Sequence, residues 1–203
     1  IVSDYSIQLM KGLQNGGMLS TAKHFPGHGD TETDSHSSLA LIPSDSSRLW
    51  KTEIKPFKNM IDHGVDAIMV AHIHAPDYQF DSEKPASMSK FWISDILKSR
   101  LNFKGTIVTD AMEMGGIVKN YSDEFALIET IKAGSNVIIQ NNNFKRSIDV
   151  VEQAVYDGVI PISIINNSAL KMLKMKKKIG LDRNRYVNIE NMQKVLGNKD
   201  HKK

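Results

Sequence analysis

The chain of 203 residues contains no cysteine. That excludes disulfide staples, thiolate nucleophiles and cysteine-ligated zinc together, while leaving the cellular compartment open. Long hydrophobic runs are missing too. No stretch approaches the ~18 apolar residues of a membrane helix, and the opening residues do not follow the basic, apolar, small-residue order of a signal peptide. Neither sign of charge dominates: 26 Lys and Arg stand against 23 Asp and Glu, a net charge of +3. With the basic residues scattered except near the C-terminus, no nucleic-acid partner is expected. There is no phosphate-binding glycine loop, dinucleotide fingerprint, internal repeat or low-complexity segment, and no cofactor is expected. What remains, 40% hydrophobic and 24% charged residues, is the composition of an ordinary globular chain with ample length for a core.

Helical and extended patterns alternate along the chain. Ser3 to Gln14 carries apolar residues near a 3.6-residue period and stops at Gly16-Gly17, and Met18 to Phe25 reads as a strand. Ser46 to His63, Ser89 to Leu101, Ser122 to Ala133, Phe144 to Tyr156 and Pro161 to Ile179 read as helices. Between them, Ala67 to Ala71, Thr106 to Thr109 and Asn136 to Ile139 are short apolar runs. Strands apolar throughout and separated by helices predict a parallel sheet covered on both faces. Polar residues gather where the strands end: Lys23 and His24, His72 and His74, Asp110, and Gln140 to Asn143. Delivery of polar groups from several successive strand ends is the habit of a barrel rather than of an open doubly wound sheet. About four strands make only half of an eight-stranded barrel. The expected fold is therefore the C-terminal half of a (β/α)8 barrel.

Two long loops are predicted, Pro26 to Asp45 and Ala75 to Met88, a length that in compact domains usually serves function. The stretch from Lys23 to His36 packs three histidines and three carboxylates between a strand end and a helix. Within it Asp34 and His36 lie two apart, so in an extended loop the carboxylate reaches the ring, fixes its tautomer and favours the imidazolium. Such a pair donates and recovers a proton near neutrality; the competing reading makes Asp34 a turn cap and His36 a solvated side chain. Asp110 ends an apolar strand, where a carboxylate faces a barrel's catalytic mouth, and a helix N-cap is the equal alternative. His72 and His74 have the spacing of a strand-end metal pair, with no later histidine before His201 to complete it. Lys171, Lys174 and Lys176 to Lys178 read as the solvated face of the last helix, with an anionic partner as the alternative. Met112, Met114, Met172 and Met175 read as core filler, and Gly115-Gly116 as a flexible turn.

The run K-H-F-P-G-H-G-D-T-x-x-D-S-H from Lys23 to His36 resembles the signature of glycoside hydrolase family 3, in its β-N-acetylglucosaminidase branch. Thr109 to Ile117 resembles that family's nucleophile segment and follows in the right order on a later strand. The resemblance implies that Asp110 attacks the anomeric carbon to give a covalent glycosyl-enzyme, resolved by water with retention. His36, paired with Asp34, would protonate the leaving oxygen and then activate the water. Lys23 and His24 would bind the hydroxyls of N-acetylglucosamine, and His28 and His72 would serve behind the site or structurally. The implied substrate is a peptidoglycan-derived saccharide ending in N-acetylglucosamine, and the implied setting is bacterial, envelope or secreted rather than cytoplasmic.

The same resemblance places three or more barrel strands ahead of Ile1, with sugar-gripping residues on them. It closes the barrel portion at residues 1–181, where Lys176 to Leu181 resembles the family's last barrel helix, and makes 182–203 a linker leading to a second, absent domain. The chain is thus expected to be a piece of a longer protein, weak or inactive alone, whose open flanks are covered by self-association or by the missing strands. Two other readings stand beside it. One is a metal-dependent amidohydrolase-like barrel using His72 and His74; the other is a glycan-binding module without catalysis.

Overall fold

The computed structural model describes residues 1–29, 40–41, 46–75, 78, 84–139 and 143–197. Helix α1 (Val2–Asn15) buries Ile7 and Met10, one turn apart, and leads into β1 (Thr21–Phe25). After the two-residue β2 (Ala40–Leu41), a continuous helical run forms from α2 (Ser46–Arg48), a wide π-helical stretch (Leu49–Ile54) and α3 (Lys55–Asp62). Then come β3 (Ala67–Val70), the short β4 (Ile73–His74), a 3-10 turn (Ala86–Met88) and a π-helix (Phe91–Arg100). β5 (Thr106–Ala111), α4 (Gly115–Val118), α5 (Asp123–Ala133) and β6 (Val137–Ile139) follow. Helices α6 (Phe144–Tyr156), α7 (Ile162–Lys178) and α8 (Ile189–Val195) close the order.

Among the described residues the strands β1, β3, β5 and β6 form one sheet in that order, every pair parallel, with helical crossovers between them. This is part of a (β/α)8 barrel. The β3–β5 ladder runs unbroken from Ala67↔Thr106 to Val70↔Thr109. The flanking ladders slip, between Ala22 and Phe25 in β1 and between Val108 and Ala111 in β5. Both slips fall in the C-terminal part of their strands. A second, two-stranded pairing joins β2 to β4.

The main core is apolar and aromatic. Phe25, Leu49, Ile68, Ile93, Leu97 and Ile107 are wholly buried, and each contributes about 1.5–3 kcal/mol through removal from water. Phe25 meets Phe57 edge-on at 5.3 Å and Trp92 at 6.1 Å, which fastens the end of β1 to the helices outside it.

At the opposite end, Asp66 accepts hydrogen bonds from the Ser20 backbone (2.9 Å), the Ser20 hydroxyl (2.8 Å) and Gln14 Nε2 (2.9 Å). Its other oxygen pairs with Lys178. One carboxylate thereby ties the entry of β3 to α1, β1 and α7.

Two expectations change. Gly115 and Gly116, read as a flexible turn, open helix α4 and are buried with Ile117. Lys171, read as part of a solvated face, is half-buried and donates to the Gly105 carbonyl at 2.6 Å. The described part of the expected linker contains α8, and every side chain described from 181 to 197 is exposed.

Candidate functional site

β1 delivers Lys23 and His24, with Lys23 exposed and His24 half-buried. The peptide bonds Lys23–His24 and Phe25–Pro26 are cis, and the ladder to β3 is irregular over the same residues. Irregular registers re-aim side chains at the ends of strands. The turn that follows requires glycine at position 27: its φ is +139°, and a Cβ there would lie 2.6 Å from the Glu53 Cβ. His28 then packs its ring edge-on to that of His24, with centroids 5.9 Å apart. Lys23, His24 and His28 border a groove of about 690 Å³ along the outer flank of β1, where Arg48, Thr52 and Glu53 form the facing wall.

From β5, two strands away, Asp110 reaches the same place. Its Oδ2 stands 3.5 Å from His24 Nε2, and its side chain is 18% exposed. The other oxygen, Oδ1, accepts from the Ala111 amide at 2.9 Å. One oxygen is fixed by the backbone while the other faces the histidine. The slip in the β5–β6 ladder accompanies this placement: the Thr109 hydroxyl accepts the Ile139 amide at 3.1 Å, and Met112 donates to the Ile139 carbonyl at 3.2 Å.

Beneath Asp110 lies His72, fully buried after β3. Its Nε2 is 2.9 Å from the Ala111 carbonyl and its Nδ1 is 2.7 Å from the Ser87 hydroxyl. A carbonyl only accepts, so Nε2 donates, and Nδ1 of the neutral ring accepts from Ser87. Burial lowers the His72 pKa below the ordinary histidine range, outweighing the raising effects of the Ala111 bond and the Asp110 charge. The ring is a neutral brace between β3, the 3-10 turn and the residue next to Asp110. With both nitrogens engaged it offers no lone pair to a metal, which removes one of the two ligands on which the metal reading depends.

Asp110, Lys23 and His24 are thus described and lie at one end of the sheet. Asp34 and His36 lie outside the described residues. Sequence reasoning missed the His72–Ala111 link and the part of Ser87, because the partners are 39 and 15 residues away from His72. The one signal available was a histidine ending a wholly apolar strand.

A parallel β/α barrel segment with a carboxylate and a histidine converging at its strand ends defines a catalytic-barrel architecture. Residues 1–175 match the model of the glycosyl hydrolase family 3 N-terminal domain, and the chain belongs to that family. It is 32% identical over 178 residues to a beta-hexosaminidase of Psychromonas ingrahamii, covering 86% of this chain and 51% of that protein. Among solved structures, a family 3 beta-N-acetylglucosaminidase from Paenibacillus sp. str. FPU-7 superimposes with TM-score 0.84 at 33% identity, over 90% of this chain and 35% of that one. The beta-glucoside phosphorylase BglX gives TM-score 0.86 at 25% identity, over 95% of this chain and 36% of that one. The chain spans about half the length, or less, of the relatives it matches.

Proposed function

We propose that this chain carries the nucleophile-bearing part of a retaining exo-β-N-acetylglucosaminidase acting on peptidoglycan-derived saccharides. The observation that carries the proposal is the meeting of Asp110 and His24 at 3.5 Å at the C-terminal end of the sheet. In the first step an Asp110 oxygen bonds to the anomeric carbon as the glycosidic C–O bond breaks, and the leaving oxygen takes a proton from His36. In the second, water attacks the same carbon, His36 takes back a proton, and the Asp110 carboxylate departs with retention. Asp34 orients the His36 ring, and Lys23 and His24 hold the sugar hydroxyls. A histidine acid replaces the second carboxylate of the usual glycosidase pair, and as a neutral or cationic group it does not repel Asp110. Relatives named beta-hexosaminidase and a beta-N-acetylglucosaminidase structure support this choice of sugar.

Two flanks of the sheet bear on assembly. Among the described residues β1 and β6 each pair on one side only. Beside β6 lies an apolar hollow of about 970 Å³ between α5, α6 and α7, and Phe144 at its rim is 74% exposed. The proposal includes self-association through these flanks, and sedimentation of a cooperatively unfolding monomer would refute that part. An envelope or secreted location is part of the same reading.

The test of function is nitrophenol release from a chromogenic β-N-acetylglucosaminide, by this chain and by the product of the full gene. A fluorinated N-acetylglucosaminyl donor that traps the intermediate should leave a mass adduct on the peptide containing Asp110. An adduct elsewhere, or turnover by an Asp110→Ala variant, would end the assignment of Asp110 as nucleophile.

A further inference from the structure

We propose that the N-terminal end of the sheet, opposite Asp110, holds a second binding site: a lysine-lined cavity for a phosphate group, free or carried on a small ester. The cavity, about 510 Å³, lies between the π-helix Phe91–Arg100, α5 and α7. Lys98, Lys104, Lys132, Lys171 and Lys174 line it, and among the described residues no carboxylate does. Lys132 is shared with Glu129 at 2.7 Å, which partly offsets its charge.

Two of the ammonium groups are built in rather than merely nearby. Lys98 donates to the Gly134 carbonyl at 2.7 Å, and Lys171 donates to the Gly105 carbonyl at 2.6 Å with Asn136 Oδ1 beyond at 3.4 Å. Gly134 has φ +113°, and a Cβ there would collide with Lys98 Nζ, so glycine permits the approach. An ammonium has three donors, and these contacts leave two on Lys98 and one on Lys171 for a ligand.

The electrostatics favour an anion. Burial lowers the pKa of Lys98, and the charge of Lys171 lowers it further. Burial and Lys104 do the same to Lys171. Folding has gathered like charges, Lys98 and Lys171 half-buried among them, and an oxyanion placed between them offsets that repulsion. A phosphate group presents several charged acceptors to separate point donors, the geometry that lysines serve well. Ser94, Asn167 and Ser168 add neutral hydrogen-bonding groups, while Phe103, Ile164 and Leu170 supply an apolar wall for the organic part of an ester. Gly105 and Asn136 directly precede β5 and β6, whereas Asp110 lies near the exit of β5, so the two sites occupy opposite ends of parallel strands.

The experiment is calorimetric titration of the chain with inorganic phosphate and with glucose 6-phosphate at fixed ionic strength, with glucose and sodium chloride as controls. Saturable binding of phosphate that is absent with glucose is expected. Tighter binding of the ester identifies a phosphorylated small molecule as the source, and equal binding identifies free phosphate. The rim pair Lys104→Ala with Lys174→Ala touches no carbonyl bond of the fold and should weaken binding on the order of tenfold. Lys98→Met should weaken it further, and Lys177→Ala, outside the cavity on α7, should leave it unchanged. Non-saturating heats, or equal losses in the rim variant and Lys177→Ala, would overturn the proposal. Neither outcome depends on glycosidase activity.

Discussion

The two ends of the sheet are held by opposite means. At the C-terminal end the ladders slip, side chains replace backbone partners, and His24 and Asp110 are left partly open to water. At the N-terminal end the central ladder is regular, and charged side chains are anchored to partners far along the chain, with donors to spare on the cavity lysines: Asp66 to Ser20, Gln14 and Lys178, Lys171 to Gly105. The irregular end keeps a partly exposed imidazole and carboxylate where a substrate can meet them, and the regular end ties helices to strands. His72 shows what the first arrangement requires. Directly behind the least regular strand end stands a fully buried, doubly bonded side chain that keeps Ala111, and with it Asp110, from drifting.

The largest expected effect breaks the chemistry of the irregular end alone. Asp110→Asn keeps the shape and removes the carboxylate proposed as nucleophile, so hydrolysis of the chromogenic substrate by the full gene product should fall roughly 10⁴-fold. Its unfolding midpoint should stay within ~0.5 kcal/mol of the parent's, because the side chain is not part of the core. His72→Leu inverts that pattern. It orphans a buried hydroxyl and a carbonyl, and denaturant unfolding should register a loss of about 3 kcal/mol. A His72→Leu protein as stable as the parent would show that the brace does not hold.

How much of this was legible depends on the range of the interactions. The strands β3, β5 and β6 and the helices between them follow from apolar runs and helical spacing, which are local. The resemblance from Lys23 to His36 and around Asp110 is likewise carried by adjacent residues. What escaped were features fixed by partners far along the chain. Lys171 looked solvated because its carbonyl acceptor at Gly105 lies 66 residues before it. Gly115 and Gly116 looked like a loose turn because nothing local announces that they open a helix whose Ile117 packs with Met88, Met112 and Ala126. His72 had the spacing of half a metal pair beside its reading as a supporting residue, and its actual partners, the Ala111 carbonyl and the Ser87 hydroxyl, are brought to it only by the fold.

A smaller effect sharpens the contrast from the regular end. Gly134→Ala must hold alanine at φ +113° and displace the Lys98 ammonium, so it should cost about 2 kcal/mol in denaturant unfolding. It should also weaken phosphate binding while leaving glycoside turnover per folded molecule unchanged. Turnover that falls with phosphate binding would mean that the two ends are coupled.

The smallest effect separates the two ends by acid. His72 resists protonation in the folded protein, its pKa lying below the ordinary 6.5 because of burial. Once the pH falls below that value the unfolded chain binds a proton that the folded one refuses, and stability declines. Asp66 acts in a lower window. Burial pushes its pKa up, but the bonds from Lys178, Gln14 and Ser20 win and bring it from 3.8 to about 2. Its contribution is complete above the unfolded value and is lost as the pH falls from about 4 towards 2. Because Lys178 is 58% exposed and screened by water, that contribution is about 1 kcal/mol rather than the full value of the shift. Urea midpoints of the parent should therefore fall in two steps. His72→Gln, which cannot titrate, should flatten the step between pH 7 and 5, and Asp66→Asn should flatten the one below pH 4. If Asp66→Asn flattens the upper step instead, acid opens the molecule from the regular end first, and the division of labour drawn between the two ends is reversed.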